Sequence, residues 1–184
     1  MALFLSHKIP SGERSAYEAR LRQMAVNLGI DNPEAPNWLM GLMDLESGIN
    51  PSIKNGIGCV GQIQFCPDKA GGTTKTIGGR SVSLPYLQTL SRTEQLEYVE
   101  QYLADVIRQT GRIPESFVDL QLMIFLPAAL KFDYEEPIFI KSTAFMDSVK
   151  KNNPLYIDPN GNITKKSIES VYKKRYAGLF EAVK

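Results

Sequence analysis

The sequence contains almost no histidine: His7 is the only one in 184 residues, and it stands close to the N-terminus. There are two cysteines, Cys59 and Cys66, and neither has a histidine nearby in the sequence. A zinc site of cysteine and histidine, or a catalytic Cys–His pair, would have to recruit this one remote histidine. We therefore predict neither kind of site, and nothing else in the chain implies a metal ion or an organic cofactor.

Neither sign of charge is in excess, because 21 Lys and Arg residues stand against 20 Asp and Glu residues, which leaves a net charge of +1. Proteins that bind nucleic acids usually concentrate basic residues on one surface. The best candidates here are two short runs, Lys165-Lys166 and Lys173-Lys174-Arg175, and a solvated helix face is their simplest interpretation. We predict that the protein does not bind nucleic acid.

Long apolar runs are also missing, and no run approaches the roughly 20 residues that a membrane-spanning helix needs. We therefore expect a soluble chain without a membrane span. The apolar stretch at residues 1–6 is too short for the core of a signal peptide and has no basic leader. No signal peptide is predicted.

The chain has enough apolar residues for a core, with a hydrophobic content of 43%, and its length is most simply one domain, 1–184. Apolar residues recur at helical spacing outside residues 50–90, which are irregular and rich in glycine. The predicted fold class is mainly α, with a small irregular or β-containing loop region. Helices are predicted at 11–28, from Asn32-Pro33 to Glu46, at 91–111, at 116–126 and at about 164–183.

One acidic residue, Glu46, lies on the apolar face of a predicted helix. Leu39, Leu42 and Met43 precede it at helical spacing, so its carboxyl group shares the side that the helix should bury. Gly48 follows as a left-handed cap, which puts Glu46 in the last turn, where unpaired carbonyls favour the protonated acid. Glu46 is therefore a candidate general acid. The alternative is a glutamate that points into solvent at a helix end.

Two motifs distinguish these alternatives. The first is Glu46-Ser-Gly-Ile-Asn-Pro51, and the second, after a short loop, is Gly61-Gln-Ile-Gln-Phe-Cys-Pro67. Together they resemble the motifs of the soluble lytic transglycosylase and goose-type lysozyme group. The resemblance extends over residues 32–129, approximately. It implies a lysozyme-like fold and cleavage of the β-1,4 bond between N-acetylmuramic acid and N-acetylglucosamine in peptidoglycan.

The resemblance assigns roles to single residues of the two motifs. Glu46 matches the catalytic acid and base, and Ser47 matches a residue that lines the cleft beside it. Gln64 matches the residue whose amide meets a sugar substituent, and Phe65 is a further candidate for substrate contact. Gln62 departs from the pattern, because the family usually has leucine there.

A third motif of the family, similar to Ala-Tyr-Asn-Ala-Gly, is poorly kept. Its nearest counterpart is Phe125-Leu-Pro-Ala-Ala129, which lacks the tyrosine and the asparagine. Phe125 and Pro127 are the candidates for substrate contact in this segment.

The number of acids in the motif region bears on the reaction. Glycosidases that use water normally place two carboxylates beside the bond. Asp44 points about 200° around the helix from Glu46, at about 100° per residue, and cannot share its cleft. Asp68 is the best local second acid, although a capping or solvated role is the simpler interpretation. A lytic transglycosylase needs only one such residue, so we predict this activity; a hydrolase of the same fold and a non-catalytic glycan-binding or phage structural protein are the alternatives.

The expected partner is the glycan strand of peptidoglycan, which lies outside the cytoplasm. Without a signal peptide, we favour delivery as part of a phage particle or through lysis. Cys59 and Cys66 can form a disulfide in an oxidising compartment. Tyr98 and Tyr102 are expected in the core rather than as sugar platforms. The segment Asp158–Thr164 resembles a calcium loop, but lacks its glycine, so a turn is the favoured interpretation.

Overall fold

The computed structural model describes residues 2–177, and this part of the chain is mainly helical, as predicted. Short 3₁₀ helices at Ser6–Lys8, Pro127–Lys131 and Pro154–Tyr156 supplement the main elements. No helix within the described residues is long and apolar enough to cross a membrane. The main elements are α1 Ser11–Asn27, α2 Ala35–Ser47, β1 Thr74–Ile77, β2 Arg80–Ser83, α3 Leu84–Leu87, α4 Arg92–Thr110, α5 Phe117–Phe125, α6 Thr143–Asn152 and α7 Lys165–Arg175.

Helix α2 lies inside the core because its side chains are apolar on almost every side. Its residues from Ala35 to Asp44 are buried with the exception of Asn37, and the helix packs against both α1 and α5. A helix that is apolar all round must be covered all round. Toward its C-terminal end the burial becomes partial, and Glu46 lies in this last turn.

Local capping residues set the ends of several helices where the sequence predicts them. Ser91 and Glu94 form a reciprocal capping box at the start of α4, and Gly111 ends this helix in the left-handed conformation, with φ 68°. Helix α1 ends just before Gly29, whose φ is 70°. Helix α5 ends at Phe125, shortly before Pro127. The predictions for these helices are confirmed to within one or two residues.

The predicted start of α2 at Asn32-Pro33 is wrong, because the helix begins at Ala35. The side chain of Asn32 instead accepts a hydrogen bond from the backbone N–H of Glu34 at 2.9 Å, which forms a turn before the helix. Pro36 takes the proline position of the first helical turn.

The irregular region at 50–90 contains the only sheet of the described residues. Strands β1 and β2 pair antiparallel, from Thr74 opposite Ser83 to Ile77 opposite Arg80. Gly78 and Gly79 connect them with positive φ angles of 59° and 73°, as a tight hairpin turn of this hand requires. A small β-containing region within 50–90 is thus confirmed.

The C-terminal part of the described chain differs from the prediction in one helix bound. Thr164 caps α7 as expected, but α7 ends at Arg175 rather than near residue 183. At Tyr176 the backbone leaves the helix, and its ring lies 5.9 Å from that of Phe117 in the core. Residues 178–183, which include the predicted Leu179 and Phe180, lie outside the described residues.

The turn favoured at Asp158–Thr164 is confirmed. The carboxylate of Asp158 accepts hydrogen bonds from the backbone N–H groups of Asn160 at 2.9 Å and Asn162 at 2.8 Å. The side chain thereby stabilises the turn itself, as aspartates at such positions commonly do.

Candidate active site

A cavity of ≈ 540 Å³ lies beside the C-terminal end of α2. Its walls come from α2, the loop 55–66, β1, α4, α5 and the 3₁₀ helix Pro154–Tyr156. Four residues that the sequence predicted line it together, namely Glu46, Gln64, Phe65 and Phe125. Residues far apart in the sequence therefore meet at one opening in the surface.

Glu46 is half-buried at this cavity, in the last turn of a helix that ends in a regular glycine cap. Gly48 adopts the left-handed conformation predicted for it, and its N–H donates to Asp44 O at 2.9 Å. The Nε2 group of Gln121 donates to Glu46 Oε1 at 3.1 Å. Burial raises the pKa of Glu46, and the hydrogen bond from Gln121 opposes this in part. The direction is the one that a general acid requires.

The second motif forms a tight loop whose backbone places Gln64 at the cavity. The N–H and C=O groups of Val60 and Phe65 bond to each other at 2.7 Å and 3.0 Å, which closes the loop around Gly61 and Gln64. Both of these residues have positive φ, 76° and 53°, and for glutamine this conformation is uncommon. The amide of Gln64 donates to Gly61 O at 3.0 Å and is held at the cavity.

A disulfide between Cys59 and Cys66 closes the same loop, and both residues line the cavity. Within this loop, Phe65 is buried and packs edge-on against Tyr102 of α4, with ring centroids 6.0 Å apart. The loop is therefore held both by a covalent bond and by aromatic packing against α4.

A polar network around the fully buried side chain of Gln62 supports the loop. Gln62 accepts from the hydroxyl of Tyr17 at 2.7 Å and donates through its side chain to Arg92 O at 2.8 Å, while its N–H donates to Gln95 Oε1 at 2.7 Å. A Cβ added at Gly61 would lie 2.6 Å from the same Gln95 oxygen, so only glycine fits there. Gln62 thus connects the loop to α1 and α4 through hydrogen bonds.

Ser47 does not line the cavity, in contrast to the role that the resemblance implies. Its Oγ lies 2.9 Å from Met43 O and 3.0 Å from Gln62 O, and it accepts from the N–H of Asn50. These contacts connect the end of α2 to the second motif. In this structure Ser47 fixes the relative position of the two motifs and does not face the opening.

Pro127 lies in a neighbouring cavity of ≈ 500 Å³ rather than beside Glu46. The two cavities share Lys75 and Tyr102, so they adjoin along α4 and the hairpin. Asp68 also lines this second cavity. Lys75 and Tyr102 are therefore walls of both cavities.

Gln121, Tyr102 and Tyr156 are among the cavity residues that were not predicted as site residues. Gln121 is buried among apolar neighbours in α5. An amide side chain in the middle of so apolar a helix is the one feature of the sequence that could have indicated a site residue here. Tyr102 lines the cavity, although it was expected in the core. Tyr156 packs edge-on against Phe125 at 5.8 Å and its hydroxyl bonds to that of Tyr172; nothing in its local sequence indicates this position.

Glu46 is the only acid among the described residues that line its cavity. Asp68 is exposed, and its hydrogen bonds with Thr76 and then Lys75 lower the pKa of this carboxyl group. Asp44 is buried elsewhere, where it binds Lys8 at 2.5 Å and Tyr176 at 2.9 Å. Among residues 2–177, no three His, Cys, Asp or Glu side chains are close enough to hold a metal ion.

No protein-family model, curated protein or solved structure matches this chain. Any assignment of function therefore depends on the two motifs and on the contacts around Glu46.

Proposed function

We propose that this protein cleaves the glycan strands of peptidoglycan as a lytic transglycosylase, on a lysozyme-like fold. One observation carries the proposal: Glu46 is a half-buried acid with a raised pKa, at a cavity where the described residues provide no second acid. The motifs around Glu46 and Gln64 give the substrate class, since they resemble those of enzymes that act on this polymer.

In the first step, Glu46 donates its proton to the oxygen of the bond between N-acetylmuramic acid and N-acetylglucosamine. The bond from this oxygen to the anomeric carbon of the muramic acid breaks, and the leaving sugar departs with a new hydroxyl group. Glu46 is then a carboxylate. A raised pKa favours this step because, at any given pH, Glu46 holds its proton more often than an ordinary exposed glutamate does.

In the second step, the carboxylate of Glu46 removes the proton of the 6-hydroxyl of the same muramic acid. The 6-oxygen attacks the anomeric carbon and closes a 1,6-anhydro ring, and Glu46 regains its proton. A single acid thus serves both steps, whereas hydrolysis normally needs a second carboxylate beside the bond.

The second cavity gives the proposal a place for more of the polymer. It shares Lys75 and Tyr102 with the Glu46 cavity, and in this proposal the strand passes from one cavity to the other. Gln64 and Phe65 contact the sugar beside Glu46 in this proposal, and Phe125 forms the opposite wall. Pro127 contacts a more distant part of the strand.

The proposed place of action is the cell wall, reached as a component of a phage particle or after lysis. The disulfide between Cys59 and Cys66 supports this, because disulfides persist mainly in oxidising compartments outside the cytoplasm.

The test is mass spectrometry of the fragments released from purified peptidoglycan by the wild-type protein and by Glu46→Gln. We expect wild-type products that end in 1,6-anhydromuramic acid and no such products from the variant. Gln64→Ala serves as a second variant, for which we expect the same products at a lower rate.

Other outcomes would point elsewhere. Products with a reducing end, lost in Glu46→Gln, would make the protein a hydrolase, for which Asp68 is the first candidate as second acid. Release that is equal for both proteins would exclude Glu46 as the catalytic residue. No release from walls of several types would favour a glycan-binding or structural protein.

A further inference from the structure

Gln121 combines two features that the proposed reaction does not yet use. Its side chain is buried in α5, with 5% of the residue exposed, and Nε2 donates to Glu46. Its other end, Oε1, is buried and has no hydrogen-bond partner within residues 2–177. Buried amide oxygens are nearly always hydrogen-bonded in folded proteins, so an acceptor without a partner at this position needs an explanation.

The chemistry of Glu46 supplies a partner for this oxygen. An ionised carboxylate can only accept hydrogen bonds, and Nε2 of Gln121 is the matching donor. A protonated carboxyl group keeps an oxygen that accepts, but it gains an O–H donor, and Nε2 cannot accept from this O–H. A half-turn of the amide about its last torsion exchanges Nε2 and Oε1, and it brings the acceptor to the position where the acid needs one.

We propose that Gln121 is a positioning residue that holds Glu46 in both of its protonation states: Nε2 donates to the carboxylate, and Oε1 accepts from the carboxylic acid after the amide turns over. The proposal rests on the proposed function in one respect, since it is the two-step reaction that requires both states. In each state the carboxyl group keeps one hydrogen bond to Gln121 and stays in the same place beside the cavity. When substrate binds, the single O–H of the acid leaves Oε1 of Gln121 and turns to the glycosidic oxygen that it protonates.

The neighbours of Glu46 leave this role to Gln121. The nearby tyrosine hydroxyls have raised pKa values, mainly through burial, so they stay neutral while Glu46 titrates. Lys75 lines the same cavity, but its ammonium group is paired with Asp68 at 3.0 Å. Tyr102 on α4, Tyr156 in the last 3₁₀ helix and Lys75 on β1 line the cavity with Glu46. Tyr172 and Tyr176 at α7 are buried and interact with its charge without lining the cavity.

The direct test is an NMR titration of the isotope-labelled wild-type protein without substrate, which follows the side-chain amide of Gln121 and the carboxyl carbon of Glu46. We expect both signals to change in one step at the same pH. We also expect contacts between the amide protons and the Glu46 side chain above this pH and their loss below it. In Glu46→Gln the amide signals should not move with pH.

Either of two results would overturn the proposal. Amide signals of Gln121 that do not change while Glu46 titrates would show that the two side chains are not coupled. Contacts that persist unchanged on both sides of the titration would show an amide that only donates and never turns over.

Variants provide a second readout. Gln121→Leu keeps a buried apolar side chain but removes both hydrogen bonds, and Met123→Leu changes a buried neighbour on the same helix that does not line the cavity. Because a bond to the charged carboxylate is stronger than one from the neutral acid, we expect Gln121→Leu to raise the pKa of Glu46. We expect kcat to fall by roughly 10- to 100-fold while KM changes little, and the alkaline limb of the pH profile to move upward.

Met123→Leu should leave the titration of Glu46 and the pH profile unchanged. A Gln121→Leu variant whose titration and pH profile match those of the wild type would contradict the proposal. Failure of the proposed function gives a different pattern: the wild-type protein would release no fragments from peptidoglycan, while its amide would still turn over with the protonation of Glu46.

Discussion

Two acids of α2, Asp44 and Glu46, stand two residues apart and have opposite surroundings. Asp44 is 2% exposed, and its carboxylate binds the ammonium group of Lys8 and the hydroxyl of Tyr176. It thereby ties α2 to the N-terminal segment and to the end of α7. Glu46 has one amide partner, Gln121, and faces an open cavity.

The comparison shows that burial alone does not identify a reactive acid. Asp44 is the more buried of the two, but its partners occupy both carboxylate oxygens, and a substrate has no access to it. Glu46 is less buried and has fewer partners, so its proton can be given to a ligand. The helix period produces this difference, because two residues along the helix lie on opposite faces.

The largest expected effect is the loss of activity in Glu46→Gln. A positioned general acid contributes about 10²- to 10⁴-fold to a rate, so we expect kcat to fall by a factor in this range. The measurement is the rate of release of soluble fragments from peptidoglycan, with circular dichroism to show that the variant is folded. Asp44→Asn is the matched control on the same helix, and its folded fraction should keep the wild-type rate. Equal losses of rate in the two variants would remove the distinction between the acids.

The next effect concerns the disulfide between Cys59 and Cys66. It closes the loop beside Glu46, whereas no disulfide lies beside Asp44 among the described residues. We expect the double variant Cys59→Ser, Cys66→Ser to lose about 2–3 kcal/mol of unfolding free energy, as a short disulfide loop typically contributes. Activity should fall as well, because the loop carries Gln64 in an uncommon backbone conformation. Denaturant unfolding measures the loss of stability, and the release assay measures the loss of activity. Wild-type protein treated with a reducing agent should behave like the variant; wild-type activity after complete reduction would show that the loop keeps its shape without the bond.

The sequence predicts well what depends on neighbouring residues. The ends of α1 and α4 follow from a capping box and from glycines that can adopt positive φ, and these signals act within one turn of helix. Glu46 and Gln64 are predicted as site residues for a similar reason, because each belongs to a continuous motif. The structure brings both to one cavity, together with Phe65 and Phe125.

What the sequence does not predict depends on contacts between distant segments. Gln121 is 75 residues from Glu46, and no local pattern indicates that its amide meets this carboxylate. Tyr156 reaches the cavity from beyond α6. In two other cases a local pattern suggests a role that the folded chain does not use. Asn32 has the sequence pattern of a helix cap, but its side chain stabilises a turn before the helix. Ser47 belongs to a motif that suggests a cleft residue, but its hydroxyl connects the two motifs.

A smaller effect is expected on the Asp44 side of the helix. Asp44→Asn removes a charged acceptor from Lys8 and Tyr176 and buries an amide that needs new partners, so we expect a loss of about 1–2 kcal/mol in unfolding free energy. Lys8→Met tests the ion pair alone. The side chain of Lys8 is 39% exposed, so water partly solvates its ammonium group, and we expect Lys8→Met to cost less than Asp44→Asn. Denaturant unfolding of both variants measures the difference; a Lys8→Met variant as unstable as Asp44→Asn would mean that the ion pair, rather than the bond to Tyr176, stabilises this side.

The smallest effect is the dependence of stability on pH to which Glu46 contributes. Burial raises the pKa of Glu46 in the folded protein, so its contribution to stability is complete below the pKa of an unfolded glutamate and is lost as the pH rises through the folded value. Glu46→Gln cannot ionise and escapes this loss. We therefore expect the variant to have a higher Tm than the wild type at neutral and alkaline pH, by a few degrees at most, since about 1 kcal/mol corresponds to roughly 2–4 °C at this chain length. The advantage should shrink as the pH falls below the folded pKa, and thermal unfolding at a series of pH values measures it. A Tm difference that is constant with pH would mean that the Glu46 carboxyl group is not perturbed, and the cavity would then hold an ordinary glutamate rather than an acid prepared to give up its proton.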